Sequence, residues 1–270
     1  MDETYILLLL SDSNLPTGSF VASSGLESYV KHGFLSPGSA MDDTINFIQD
    51  SLKTYAWSAL AFVSDAHLLI STYFEQEESS VDSILEKLVA LDEVYETMTL
   101  NHVTKRASKS QGVALLTLYS KGFSRPNKDD LSSHETRLSA LIDKLKLMIR
   151  REETHGHLPI CWGVLTAALG LSLERSQFLH LFLHARSLLS AGVRLNTLGP
   201  YNSQQILLHA IRPLVEEEVH RCKDLRAFIT TGSNSGLNWD EISTGPATTW
   251  PLGEILATRH DLQHSRIFNS

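Results

Sequence analysis

A hydrophobic repeat of 3.6 residues runs through almost the whole chain, from Ala40 to Gln263, and no segment alternates apolar and polar residues for long. Such a period places apolar side chains on one face of a helix, whereas a half-buried strand needs a period of two. The chain is therefore expected to be all-α, a single-domain bundle over residues 1–270 of roughly ten helices. Ser39 precedes a segment opening Ala40-Met41-Asp42-Asp43, with acids where a helix dipole favours them, and running on as one helix or two. Ser80 caps the next, and Ser132 or Ser133 a later one after a polar 124–133 loop. The segments Leu158–Gly170 and Leu173–Leu195 are apolar on most sides, which suits the centre of a bundle and leaves surface for a dimer. Asn202 with Gln205 reads as a cap, Pro213 as a kink, and 232–246, rich in Gly, Ser, Asn and Thr, as a flexible connection to a C-terminal tail.

Composition narrows the function. The 270 residues carry a formal charge of −8, which argues against general nucleic-acid binding because phosphates need cations to neutralise them. Two cysteines, Cys161 and Cys222, form no CxxC pair, as expected of a reduced, cytoplasmic protein. The apolar run Ile6–Leu10 is too short to span a bilayer, so no membrane association is expected. No Gly-x-x-x-x-Gly-Lys-[Ser/Thr] loop is present, so any nucleotide chemistry would belong to a partner.

The N-terminus holds an unusual turn, Leu15-Pro16-Thr17-Gly18-Ser19-Phe20, followed by Ser23-Ser24-Gly25-Leu26-Glu27. Pro16 and Gly18 specify a path for it. Ser23 or Ser24 is an N-cap candidate, and Glu27 completes a capping box with Ser24. Neither explains Phe20 on an exposed turn, as a hydrophobic staple or as an anchor for a partner.

Among the twelve histidines, His180 and His184 are spaced i,i+4, as are His260 and His264, and His155-Gly156-His157 is a third candidate ligand group. His180 and His184 lie in an apolar context and are expected to be packed and hydrogen-bonded; His260 and His264 alone leave a metal site incomplete. No metal site is therefore assigned. Asp42-Asp43 resembles a fragment of the acid-rich motif of prenyl-diphosphate enzymes. That leaves an alternative reading, a helical metal- or diphosphate-dependent enzyme using Asp42, Asp43 and the histidines, although acids at a helix start explain themselves.

Pro-x-Gly-Ser-Phe followed by Ser-x-Gly-Leu-Glu resembles the N-terminal signature of the urease accessory protein F (UreF) family. Three later segments resemble it in the same order: His157-Leu158-Pro159 into Ala167-Ala168-Leu169-Gly170-Leu171, then Ser190-Ala191-Gly192-Val193-Arg194-Leu195, then Arg259-His260-Asp261-Leu262-Gln263-His264-Ser265-Arg266-Ile267-Phe268-Asn269-Ser270. The segment Asn101–Gly112 is closer to eukaryotic members and lacks the Glu-x-Arg common in bacterial ones. The resemblance implies a non-catalytic, homodimeric scaffold for nickel insertion into apo-urease. It implies partners: the D/H-type urease accessory protein and the G-type GTPase. Nickel and GTP are then handled through those partners, with no intrinsic cofactor. By position it implies partner-binding residues Phe20, Ser24, Gly25, Glu27, Arg194, Arg259, His260, Arg266 and Phe268. On physics alone Ile267 and Phe268 either dock on their own bundle or meet a partner; the resemblance favours a loosely held tail that orders against the D/H-type protein.

Overall fold

The computed structural model describes residues 2–12, 15, 17, 19–36, 38–75, 80–124, 133–227 and 245–270. Its organising element is helix α3 (Ala40–Glu75), which forms one helix rather than two. Its 36 residues contain neither Gly nor Pro to interrupt the hydrogen-bond ladder. Asp43 turns its carboxylate back over the helix start, accepting from Ser36 N at 2.7 Å and Ser39 Oγ at 3.2 Å. The two acids at this end thus behave as helix-start residues.

Before α3 come α1 (Glu3–Leu10), a 3-10 turn at Ser19–Val21 and α2 (Leu26–Lys31). After it come α4 (Val81–Met98), α5 (His102–Leu118), α6 (Ser133–Arg150), α7 (Leu158–Ala168), α8 (Leu173–Arg194), α9 (Pro200–Ile206), α10 (Arg212–Cys222) and α11 (Pro251–Thr258). A 3-10 turn, Arg259–Leu262, follows α11. The described residues contain no strand, so the all-α bundle is as expected. Residues 232–244 of the expected connection and 125–132 of the polar loop lie outside the described residues, as do Pro16 and Gly18.

Two apolar clusters share α3. Its first half, with Leu60 just beyond the middle, packs Phe47, Ile48 and Leu52 against Leu181 and Leu188 of α8, Val215 of α10 and Leu26 of α2. Its second half packs Phe62, Val63, Ile70 and Tyr73 against side chains of α4, α5, α6 and α7. The crossing of α3 and α7 is very close. A Cβ on Gly163 would stand 2.5 Å from the Val63 carbonyl oxygen and 2.9 Å from the Ala66 Cβ. Backbone meets backbone here, and a side chain of any size has nowhere to go.

The entry to α7 is fixed by one buried carboxylate. Asp92 accepts from Thr154 Oγ1 at 2.6 Å, from the N–H groups of His155 and Gly156 at 2.7 Å, and from that of His157 at 3.0 Å. His157 is buried, with Nδ1 3.1 Å from Ser108 Oγ and Nε2 2.8 Å from Glu96. The His155-Gly156-His157 group therefore serves a loop anchor. Burial raises the Glu96 pKa, but hydrogen bonds from Lys109, Lys105 and His157 outweigh it and hold the carboxyl at about 2.

Several local expectations are corrected. Ser24 and Glu27 form no capping box: the N-cap of α2 is Gly25 in the left-handed region, φ 88°, with no side-chain cap. Helix α9 starts at Pro200 behind an extended Gly199, so Asn202 lies inside it. Just before Pro213 the continuous helical run widens into a π turn, Leu207–Ile211, which is the irregularity that accompanies the proline at the start of α10. Little apolar surface remains on α7, whereas Phe178, Phe182, Leu183 and Val193 of α8 are only half-buried. Residues Pro159–Ala167 are all buried, and no large hydrophobic side chain of either helix is exposed.

Gly163→Ala is expected to destabilise the protein by about 1–3 kcal/mol, the usual cost of overpacking a tight core. Urea unfolding measures it; an unchanged midpoint would show that the crossing relaxes.

Burial holds the imidazole pKa of His180 at about 3 and of His184 at about 4, and lowers those of His67 and His157. The unfolded chain thus binds more protons than the folded one below the ordinary histidine value. Stability should be intact above about pH 6.5 and fall progressively toward about pH 4. Chemical denaturation across that window tests the sign.

Candidate partner-docking site

Chain positions more than 200 residues apart meet at one end of the bundle. The pieces are the Ser19–Val21 turn, α2, the end of α8 and the segment after α11. Residues 267–270 lie beside the turn. The N–H of Asn269 donates to the Val21 carbonyl at 2.8 Å, and that of Ser23 donates to the Ser270 carbonyl.

Glu27 holds this arrangement from below. It is fully buried, and its carboxylate accepts the N–H groups of Ile267 at 2.8 Å and Phe268 at 3.2 Å. Lys31, one turn on, supplies the neutralising charge at 3.1 Å and also donates to the Ser265 carbonyl. His260 is buried beside it and donates from Nε2 to the Phe268 carbonyl at 3.1 Å. Burial lowers its pKa, consistent with a neutral ring whose proton sits on Nε2. Charge-assisted hydrogen bonds to backbone N–H groups are among the stronger ones, and here they fix two consecutive tail residues.

The tail is therefore not loosely held. The chain bends at Ile267 and Phe268, which brings two consecutive N–H groups to one carboxylate. Phe268 turns inward and is 3% exposed, while Ile267 turns outward and is 61% exposed. Arg194, at the end of α8, has its guanidinium carbon 5.5 Å from the Phe20 ring centre and 5.6 Å from that of Phe268. It also donates to the Phe20 carbonyl. One cation thus bridges the aromatic rings of the turn and the tail.

A second charged group lies on the surface of the same end. Asp261 accepts two bonds from Arg106 at 2.9 Å and one from Arg266 at 2.8 Å, with His102 Nε2 at 3.1 Å. The Arg106 hydrogen bonds hold its carboxyl far below the usual range. Arg106 also donates to the Asn269 carbonyl at 3.0 Å, tying α5 to the tail.

Of the residues singled out from sequence, Phe20, Ser24, Arg194, Arg259 and Arg266 are exposed, and Gly25, Glu27, His260 and Phe268 are buried. The first group is available to a partner. The second shapes the surface from inside, which corrects the reading of all nine as contacts. Arg106, Lys31 and Asp261 were missed; Arg106 lies 155 residues from Asp261, and nothing local marks the pair. His260 and His264 do not share a helix face, because the chain turns extended at Gln263 and leaves His264 exposed. Asp42 is exposed, Asp43 serves the helix start, and no three His, Cys, Asp or Glu side chains among the described residues form a metal-binding group.

Comparison with known proteins identifies the family. The UreF family model matches residues 39–211. The chain is 43% identical over 308 aligned positions to urease accessory protein 6 of Cryptococcus neoformans, covering 99% of this chain and 97% of the relative. The chain belongs to the UreF family. It is also 30% identical to an uncharacterised UreF-like urease accessory protein of Schizosaccharomyces pombe, covering 99% and 97% of the two chains. The identity to the UreF protein of Paenarthrobacter aurescens is 28% over the full length of both. Membership places this UreF-family protein in urease maturation. No helix among its described residues is long and apolar enough to cross a membrane.

Phe268→Ala should destabilise this UreF-family protein by about 3 kcal/mol, the typical cost of removing a buried Phe side chain. Unfolding by denaturant measures the loss, and limited proteolysis should cut the tail faster. A variant as stable and as resistant as the parent would mean that the tail is held by its backbone alone.

Proposed function

We propose that this UreF-family protein is a non-catalytic scaffold for nickel insertion into apo-urease. It bridges the D/H-type accessory protein and the G-type GTPase, and gates GTP-dependent nickel delivery. The observation that carries this reading is the composite surface. The two family-like terminal motifs form one unit, with Glu27, His260 and Phe268 inside and Arg266, Arg259, Ile267 and Phe20 outside. A pre-shaped surface has already met the ordering cost that a loose tail would meet on binding.

The chemistry of that surface fits an acidic partner with an apolar patch. Arg106, Arg259 and Arg266 gather here in a chain whose formal charge is −8, and Asp261 offsets only part of them, while Lys31 is paired with Glu27. Exposed Ile255, Leu262 and Ile267 lie among these cations. Arginine beside apolar side chains is the composition of interface centres. We assign the Arg266 face to the D/H-type protein. The Phe20 turn is assigned to the dimer mate or the GTPase. Tyr201 and Leu208, exposed and two helical turns apart, offer a further apolar contact for a homodimer.

Gating on such a scaffold needs no bond chemistry. It needs a different affinity for the two nucleotide states of the GTPase, and the same difference then acts on nickel release. Nickel and GTP remain cargo and ligand of the partners, in the cytoplasm.

Arg266→Ala should weaken binding of the D/H-type protein about thirtyfold, or about 2 kcal/mol, if Arg266 is a central contact. Thermal stability should change little, because Arg266 is 41% exposed and its ion pair is on the surface. Phe20→Ala should spare that binding and weaken assembly with the GTPase or the second copy. Titration calorimetry and co-purification from urease-positive cells measure both. Normal D/H-type binding by Arg266→Ala would remove the tail face from the assignment.

A further inference from the structure

Helix α5 starts against the usual charge preference. Its first turns carry His102, Lys105 and Arg106, and the whole helix holds no acid, although the positive end of a helix favours carboxylates. Acids of other elements make up the deficit. Glu96 of α4 pairs with Lys105 at 3.0 Å, and Asp261 of the 3-10 turn pairs with Arg106. Asp261 is shared with the tail. Its Oδ1 accepts from Arg106 at 2.9 Å and from Arg266 at 2.8 Å, so two guanidinium groups meet at one oxygen atom. Two permanent positive charges thus face one negative charge, and no other carboxylate among the described residues pairs with either arginine.

Arg106, Asp261 and Arg266 line an open cup at the surface, together with Phe268 and Asn269. Hydrogen-bonding capacity is left over there. Of the five N–H groups of a guanidinium, Arg266 uses one, on Asp261, and the Nε–H of Arg106 has no partner among the described residues. We propose that Arg106 and Arg266 form a carboxylate clamp, with Asp261 as the spacer between them, and that it receives an Asp or Glu side chain of the D/H-type accessory protein. The clamp rests on the assignment of the Arg266 face to that protein, and Arg106 enters that face as a direct contact.

The chemistry of the occupant follows from the cup. A planar guanidinium fork matches a carboxylate, and the surplus charge and the start of α5 both attract an anion and repel a cation. Arg106 is already fixed by its two bonds to Asp261 and one to the Asn269 carbonyl at 3.0 Å, so little side-chain freedom is lost on binding. Leu262 and Ile267, sequence neighbours of Asp261 and Arg266, stand exposed beside the cup and would keep water from the closed contact. Asp261 acts in the opposite sense. The arginine bonds hold its carboxyl far below the usual range, so it stays charged near neutral pH and repels an incoming carboxylate.

Titration calorimetry of the full chain with the D/H-type protein tests the clamp. Arg106→Gln should weaken binding roughly tenfold or more, the value of a hydrogen-bonded charged contact. Arg106→Lys keeps the charge without the fork and should lose less. Asp261→Asn keeps an acceptor oxygen for both arginines and removes the repelling charge, so it should tighten binding severalfold. If Arg106 served only to hold the tail, Asp261→Asn would weaken binding as Arg106→Gln does. That result, or normal binding by Arg106→Gln, overturns the clamp. Thermal midpoints should stay near the parent's, because surface ion pairs contribute little to stability. Loss of binding only in variants with lowered midpoints would overturn it as well. Weak binding by Arg266→Ala beside normal binding by Arg106→Gln would strike the clamp and leave the Arg266 face assigned; normal binding by both would remove that assignment too.

Discussion

The close crossing of α3 and α7 at Gly163 is the constraint on which the rest of the bundle depends. Because the two backbones nearly touch, α7 lies along the second half of α3 rather than over its end. That position leaves the first half of α3 free for α8, α10 and the C-terminal segment. One helix of 36 residues therefore supports both apolar clusters, and neither can shift along it without breaking the other. The Asp92 carboxylate secures the same crossing from the opposite direction, by fixing the loop that delivers α7.

A second buried carboxylate organises the functional end. Glu27 does for the tail what Asp92 does for the loop: it collects backbone N–H groups that have no helix or sheet to belong to. A buried acid is stable only when its lone pairs and charge are met, and here two amides and Lys31 meet them. The exposed arginines and Ile267 are consequences of that arrangement. Their positions depend on a residue no partner touches.

Helices were legible in the sequence wherever the apolar period was long, and the central place of Leu158–Gly170 followed from its all-round apolarity. Glu27 was misread because a Ser-x-x-Glu spacing has a local explanation, whereas its true partners lie some 240 residues away. The tail was misread for a related reason. Arg266-Ile267-Phe268 looks like an exposed recognition motif when all three side chains are counted together. The chain bends there and buries Phe268 alone of the three, leaving Arg266 and Ile267 at the surface. His180 and His184 looked alike on paper, and only the third dimension gave Ser51 to one of them.

The pairing of the Ser19–Val21 turn with residues 267–270 also has a consequence for how the protein is made. The turn and Glu27 leave the ribosome early, yet the backbone groups that complete them are synthesised about 240 residues later. Until then Glu27 is a carboxylate without its amides, and Arg194 has one aromatic ring instead of two. The composite surface cannot form before residues 267–270 have been made. A chain interrupted before residue 267 lacks the amides that hold Glu27 and so presents a different face at this end of the bundle.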